Sequence, residues 1–201
     1  MAIIDCGIGN LFSLECALKR VGLKPNVVRK ARSLKGVDAI VIPGVGNFKA
    51  ATQKMKNLRQ EIAKSVSEGV PLFRICLGLQ LLFDSSEEGP GGGLGFLEGR
   101  VLKLPGTVKT PHMGWNTLKI LHGNDLVRGV SETDYFYFVH SYYPSPASNR
   151  AIVARTEYGL DFVSIAGHEN IHGVQFHPEK SGRTGEQILR NFASIVRRRG
   201  S

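Results

Sequence analysis

Cys76 closes an apolar run, Pro71-Leu72-Phe73-Arg74-Ile75, and opens a helical one, Leu77-Gly78-Leu79-Gln80-Leu81-Leu82-Phe83. A thiol on a sharp strand-to-helix turn projects above its sheet, where the helix offers unpaired N–H groups and positive potential. Both favour the thiolate. The same N–H groups stabilise an oxyanion when the sulfur attacks a carbonyl carbon. Gly78 removes a side chain where the turn is tight. Such a nucleophile needs an imidazole, itself oriented by a third polar group. His177-Pro178-Glu179 follows the strand-like Gly173-Val174-Gln175-Phe176, so a sheet-end loop places His177 near the end of the Cys76 strand. Pro178 fixes the local backbone, and Glu179 can bend back onto the imidazole nitrogen that faces away from the sulfur. A buried core residue is the ordinary reading of a lone cysteine, and it is the reading taken for Cys6 and Cys16. A surface turn is the ordinary reading of His-Pro-Glu alone. The pairing of the two motifs makes them specific.

The elements that must position these residues alternate through the first half of the chain. Residues 2–5, 26–29, 38–42 and 71–75 read as strands. Helices are predicted over 10–21, closed by Gly22, and over 49–68, closed by Gly69. This alternation implies a mostly parallel sheet covered by helices on both faces. After the glycine-rich stretch 89–95, short strands are expected at 96–104, 116–121, 135–139, 151–157, 162–166 and 172–176. They form an added mixed or antiparallel section before a last helix over 185–199. The predicted fold class is therefore α/β, in one domain spanning 1–201.

Bulk properties narrow the function. The chain has 201 residues, fitting one buried core, and a formal net charge of +9. That charge is scattered; the one tight cluster, Arg197-Arg198-Arg199, ends the last helical pattern, where cations favour the negative end of the helix dipole. A solvated basic surface, not nucleic-acid binding, is expected. No run approaches the length needed to cross a bilayer. A strand-like run directly after Met1 leaves no space for a secretory signal. Three cysteines without framework spacing point to a reducing cytoplasm.

Ile75-Cys76-Leu77-Gly78-Leu79-Gln80 together with Val174-Gln175-Phe176-His177-Pro178-Glu179 resembles the class I, triad-type glutamine amidotransferases. The resemblance implies a flavodoxin-like core and a Cys-His-Glu triad that hydrolyses the side-chain amide of L-glutamine through a thioester, with no cofactor and no metal. It aligns Pro43-Gly44-Val45-Gly46 with the family's oxyanion strand, so that Gly44, Val45, Gly46 and Leu77 would form the oxyanion hole. Within the family, the Gly7-Ile8-Gly9-Asn10-Leu11, Pro111-His112-Met113-Gly114-Trp115-Asn116 and Tyr137-Phe138-Val139-His140-Ser141-Tyr142 segments resemble the glutaminase subunits of imidazole glycerol phosphate synthases. So does His177-Pro178-Glu179-Lys180-Ser181. By this likeness Gln80, Glu88, Ser141 and Tyr142 hold glutamine. Asn10, Met113, Gly114, Trp115, Asn116 and Lys180 face a cyclase (β/α-barrel) subunit in a heterodimer serving histidine biosynthesis.

One position departs from the family. Arg74 stands where glycine is usual, and strand alternation puts it on the face from which Cys76 starts. There a guanidinium either assists the thiolate or crowds the elbow. Two other signals are set aside. Gly7-Ile8-Gly9-Asn10-Leu11-Phe12-Ser13 lacks the third glycine and the acidic ribose partner of a dinucleotide site. His168, His172 and His177 would have to converge from a turn and a strand to bind a metal. Two rivals stay open: a glutaminase serving a different synthase, and a non-catalytic relative of the same fold.

Overall fold

The computed structural model describes residues 1–5, 11–44 and 46–199. In chain order the elements are β1 (Ala2–Ile4), α1 (Leu11–Arg20), β2 (Asn26–Val28), β3 (Ile40–Ile42), α2 (Phe48–Met55), α3 (Arg59–Ser67), β4 (Leu72–Ile75) and α4 (Leu77–Gln80). There follow β5 (Ser85–Ser86), β6 (Gly99–Lys103), β7 (His112–Asn116), β8 (Lys119–Ile120), β9 (Phe136–His140) and β10 (Tyr142–Pro146). The chain closes with β11 (Ile152–Glu157), β12 (Asp161–His168), β13 (Ile171–Val174) and α5 (Gly182–Arg199).

The main sheet runs β2-β1-β3-β4-β13-β12-β11-β8. Its first five strands are parallel, and β12, β11 and β8 extend it in antiparallel fashion. The expected α/β class with an added antiparallel section is what is found. The central strands are apolar on both faces because both are covered. Ile3, Val41, Phe73 and Ile75 pack with Leu14 and Leu18 of α1 and with Ile188, Leu189 and Phe192 of α5. Ala2, Ile4, Ile40, Ile42 and Leu72 pack on the other face with Phe48 and Met55 of α2 and Ile62 of α3. Each Val, Leu, Ile, Phe or Met side chain among them contributes roughly 1.5–3 kcal/mol when fully buried. β5, β6 and β10 form a small second sheet, and β7 and β9 a two-stranded ribbon.

Three expectations need correction. The single helix over 49–68 is two helices, α2 and α3, separated at Lys56, Asn57 and Leu58. Asn57 is a poor helix former. The break lets Met55, Leu58 and Ile62 all turn inward. The strand over 116–121 is likewise divided between β7 and β8. There the Asn116 side chain accepts from the Thr117 N–H at 2.8 Å and donates to the Glu157 carbonyl at 2.8 Å, turning the chain from the ribbon to the edge of the main sheet. The helical run after Cys76 is ordered as helix only through Gln80. β10, which holds Pro144 and Pro146, is not among the expected strands; it is an edge strand, where proline is tolerated.

The basic C-terminal cluster caps other elements. Arg197 donates to the Val21 carbonyl at 2.9 Å and Arg199 to the Glu68 carbonyl at 3.1 Å, at the ends of α1 and α3. Among the described residues no helix is long and apolar enough to cross a membrane.

Candidate active site

β4 and β13 run parallel, with Val174 opposite Ile75, and the Cys76 N–H donates to the Val174 carbonyl at 2.7 Å. Both strands therefore end at the same edge of the sheet, the edge at which open α/β sheets bind ligands. Cys76 is buried and takes φ 55°, ψ −112°, a left-handed backbone unusual for a residue with a side chain. That conformation ends the strand alternation and aims the sulfur away from the sheet. α4 then begins at once. A Cβ at Gly78 would stand 2.3 Å from the Ile42 carbonyl oxygen, so only glycine lets α4 lie this close to β3.

His177 follows β13, and its N–H donates to the Tyr137 carbonyl at 2.9 Å. The turn Pro178–Lys180 carries the chain back so that His177 Nδ1 and Glu179 Oε1 lie 2.8 Å apart, both side chains buried. The carboxylate accepts at Nδ1, which leaves Nε2 to face the sulfur. Nε2 makes no hydrogen bond of good geometry among the described residues. Burial opposes charging of this imidazole, but the Cys76 sulfur and the Glu179 carboxylate outweigh it and push His177 up to about 10.

Cys76 lines a cavity of about 260 Å³ together with Gly46, Leu77, Gln80, Glu88, Ser141 and Tyr142, among others. The four residues expected to hold a substrate thus gather around the nucleophile. Gln80 donates from Nε2 to the Tyr142 carbonyl at 2.8 Å and to Gln175 Oε1 at 3.2 Å, while Glu88 Oε2 accepts the Phe48 N–H at 2.6 Å. Gln175, whose role the sequence reading missed, is fully buried and donates from Nε2 to Cys76 Sγ at 3.6 Å. Its place two residues before His177, in the motif itself, was the available signal.

Of the residues expected to form the oxyanion hole, Gly44 and Leu77 are bonded to each other. The Leu77 N–H donates to the Gly44 carbonyl at 3.2 Å, so that amide is already engaged. A Cβ on Gly44 would lie 2.6 Å from the Gly78 nitrogen, so this segment presses directly on α4. Val45 and Asn10 lie outside the described residues, as does Cys6. Cys16 is half-buried on α1.

Arg74 also departs from the expected placement. It is fully buried, but the left-handed turn at Cys76 breaks the alternation that would have put the two on one face. Phe73 and Ile75 share a cluster with Cys76, and Arg74 lies on the face of Leu72, where its Nη1 donates to the Gly78 carbonyl at 3.1 Å. It braces the first turn of α4 from beneath.

The residues expected to face a partner divide by exposure. Met113 and Trp115 are 63% and 55% exposed on β7, with Gly114 and Asn116 partly covered between and beside them. Trp115 meets the Tyr137 ring edge-on at 5.8 Å, and Lys180 Nζ lies 5.7 Å over the same ring. Phe12, not foreseen, is 76% exposed on α1. Among the described residues no three His, Cys, Asp or Glu side chains gather as metal ligands would.

A nucleophile elbow at a parallel sheet end, an imidazole–carboxylate pair across from it and a cavity beside the sulfur define a class of amide-hydrolysing α/β protein. The family described as glutamine amidotransferase class-I matches residues 2–196, and the chain belongs to it. Its relatives are more specific. It is 46% identical over 198 residues to imidazole glycerol phosphate synthase subunit HisH of Methanothermobacter thermautotrophicus, covering 98% of this chain and 99% of that one. It is 47% identical to the HisH subunit of Pyrococcus furiosus, covering 97% and 98%. Within the family the chain stands among the HisH subunits of imidazole glycerol phosphate synthase. Solved structures share the fold. A putative GMP synthase protein of Thermoplasma acidophilum superposes with TM-score 0.79 at 21% identity, covering 99% of this chain and 94% of that one. PurLQS from Thermotoga maritima gives 0.76 at 20%, covering 98% and 97%.

Proposed function

We propose that Cys76, His177 and Glu179 hydrolyse L-glutamine to L-glutamate and ammonia, and that the ammonia passes to a cyclase (β/α-barrel) subunit bound as a heterodimer in the cytoplasm. The observation that carries this reading is the 2.8 Å His177–Glu179 pair, buried beside a sulfur held on a left-handed turn. His177 takes the thiol proton. Sγ attacks the side-chain amide carbon, and the carbonyl electrons move onto oxygen. As that intermediate collapses, the C–N bond breaks and the leaving nitrogen takes the proton from His177 to depart as ammonia. Water, deprotonated by His177, then opens the thioester, and the proton returns to sulfur. Gln80, Glu88, Ser141 and Tyr142 line the cavity in which the amino acid is held. In the cyclase the ammonia joins a phosphoribulosyl-formimino aminoimidazole carboxamide ribonucleotide, giving imidazole glycerol phosphate and an aminoimidazole carboxamide ribonucleotide in histidine biosynthesis.

The exposed Met113 and Trp115, with Tyr137 and Lys180 beside them, supply an aromatic anchor and a cation for docking. Docking has a chemical task. With the Gly44 carbonyl on the Leu77 N–H, an oxyanion would meet a lone pair where it needs a donor. Rotation of the peptide that carries this carbonyl frees Leu77 and turns an N–H inward. Partner binding favours that rotated form. The test is to isolate the complex from native extract, identify what is bound, and measure glutamate release with and without the cyclase nucleotide. A bound barrel protein and nucleotide-stimulated release are expected; glutamate release with no partner requirement would contradict the reading.

A further inference from the structure

The strand that carries Trp115 and Asn116 also carries His112, which pairs across the ribbon with His140. Both imidazoles are buried, with His112 Nδ1 and His140 Nε2 3.0 Å apart. A polar pair in an aromatic setting, with the His112 ring 3.9 Å from Tyr158 and 5.0 Å from Phe138, is costly unless every polar atom is used. Here every one is used, and in one direction. The Asn116 amide nitrogen, a donor only, lies 3.5 Å from His112 Nε2 and 2.8 Å from the Glu157 carbonyl. His112 Nε2 therefore accepts, and the neutral ring carries its proton on Nδ1, which donates to His140 Nε2. His140 in turn carries its proton on Nδ1, 2.9 Å from the Tyr142 carbonyl. Burial holds both rings neutral, pushing His112 down to about 4 and His140 to about 3, the latter helped by the neighbouring imidazole.

The Tyr142 carbonyl is the same one that accepts from Gln80, whose second hydrogen goes to Gln175, which donates to Cys76 Sγ. We propose that His112 and His140 are positioning residues. They form a hydrogen-bond relay whose donors run from Asn116 on the partner-facing strand to the Tyr142 carbonyl, on which Gln80 donates from the other side, linking it through Gln175 to the nucleophile. The inference rests on the glutaminase reading of the site and deepens it: docking on β7 registers at the sulfur through this relay as well as through the Gly44 segment.

Two substitutions at His112 separate positioning from packing. His112→Phe keeps a ring between Tyr158 and Phe138 but removes the donor to His140. His112→Asn keeps a donor near the Nδ1 position but loses the stacking. In the assembled synthase with saturating nucleotide, kcat for glutamine should fall about fivefold in His112→Phe, the loss of one neutral hydrogen bond. The melting temperature should fall by only a few degrees, because the packing is kept while His140 Nε2 loses its donor, and ammonia-driven synthesis should be unchanged. His112→Asn should melt lower yet keep the larger kcat. If kcat instead follows stability, with Asn the weaker variant, or if His112→Phe keeps full kcat, the relay is refuted while the glutaminase stands. If the wild-type complex itself releases no glutamate, the reading beneath it fails too.

Discussion

The Leu77 amide and the Gly44 carbonyl lie 3.2 Å apart in a hydrogen bond that occupies the donor a tetrahedral oxyanion would need. A missing oxyanion donor costs about two to three decades in rate. The isolated chain should therefore bind glutamine but hydrolyse it at least about a hundredfold more slowly than the synthase complex with nucleotide bound. Steady-state glutamate production by the chain alone, with partner, and with partner plus nucleotide checks this; equal rates in all three states would remove the gating role of the Gly44 segment.

The Cys76 sulfur and, after it, the Glu179 carboxylate hold His177 in its charged form against the cost of burial. Since the His177 pKa is raised to about 10, the stabilisation is fully present below the unfolded value of about 6.5 and is lost as pH rises through about 10. Glu179→Gln should lower the melting temperature most near pH 6, with the difference from wild type closing toward pH 10. Its glutamine kcat should fall sharply, because the imidazole loses both its orientation and its countercharge. A difference in melting temperature that does not change with pH would mean that the carboxylate does not act through His177 charge.

Arg74 is fully buried against α4. Replacing it with the glycine usual in the family leaves a cavity and frees the Gly78 carbonyl, so Arg74→Gly should cost about 3 kcal/mol in denaturant unfolding. A loss below about 1 kcal/mol would show that the guanidinium is tolerated and does not brace the helix.

Trp115 is more than half exposed, so Trp115→Ala should leave the melting temperature of the isolated chain within a few degrees of wild type. A central aromatic anchor contributes about 2 kcal/mol or more to an interface, so the synthase partner should bind about thirtyfold more weakly. Titration calorimetry against the partner would register this; unchanged affinity would move the docking surface elsewhere, with Phe12 the next candidate.

Sequence patterning reached the sheet, the elbow and the His-Pro-Glu turn because each rests on local chemistry. Apolar runs mark strands covered on both faces, and the Cys-Leu-Gly-Leu-Gln segment marks a turn that only glycine allows. What it did not reach is long-range. The face occupied by Arg74 depended on a left-handed backbone at Cys76, which strict alternation does not anticipate. The division of 116–121 depended on where the Asn116 side chain finds Glu157, 41 positions away. The relay through His112 and His140 depended on cross-strand register, and the engaged Leu77 amide on a contact between the start of α4 and the segment after β3. Residue type alone carries none of these.

The most direct test is Cys76→Ala in the assembled synthase, assayed with glutamine and separately with ammonia. If Cys76 is the nucleophile, glutamine-driven synthesis and glutamate release should vanish, while ammonia-driven synthesis continues at the wild-type rate. Glutamate release that persists in this variant would contradict the assignment.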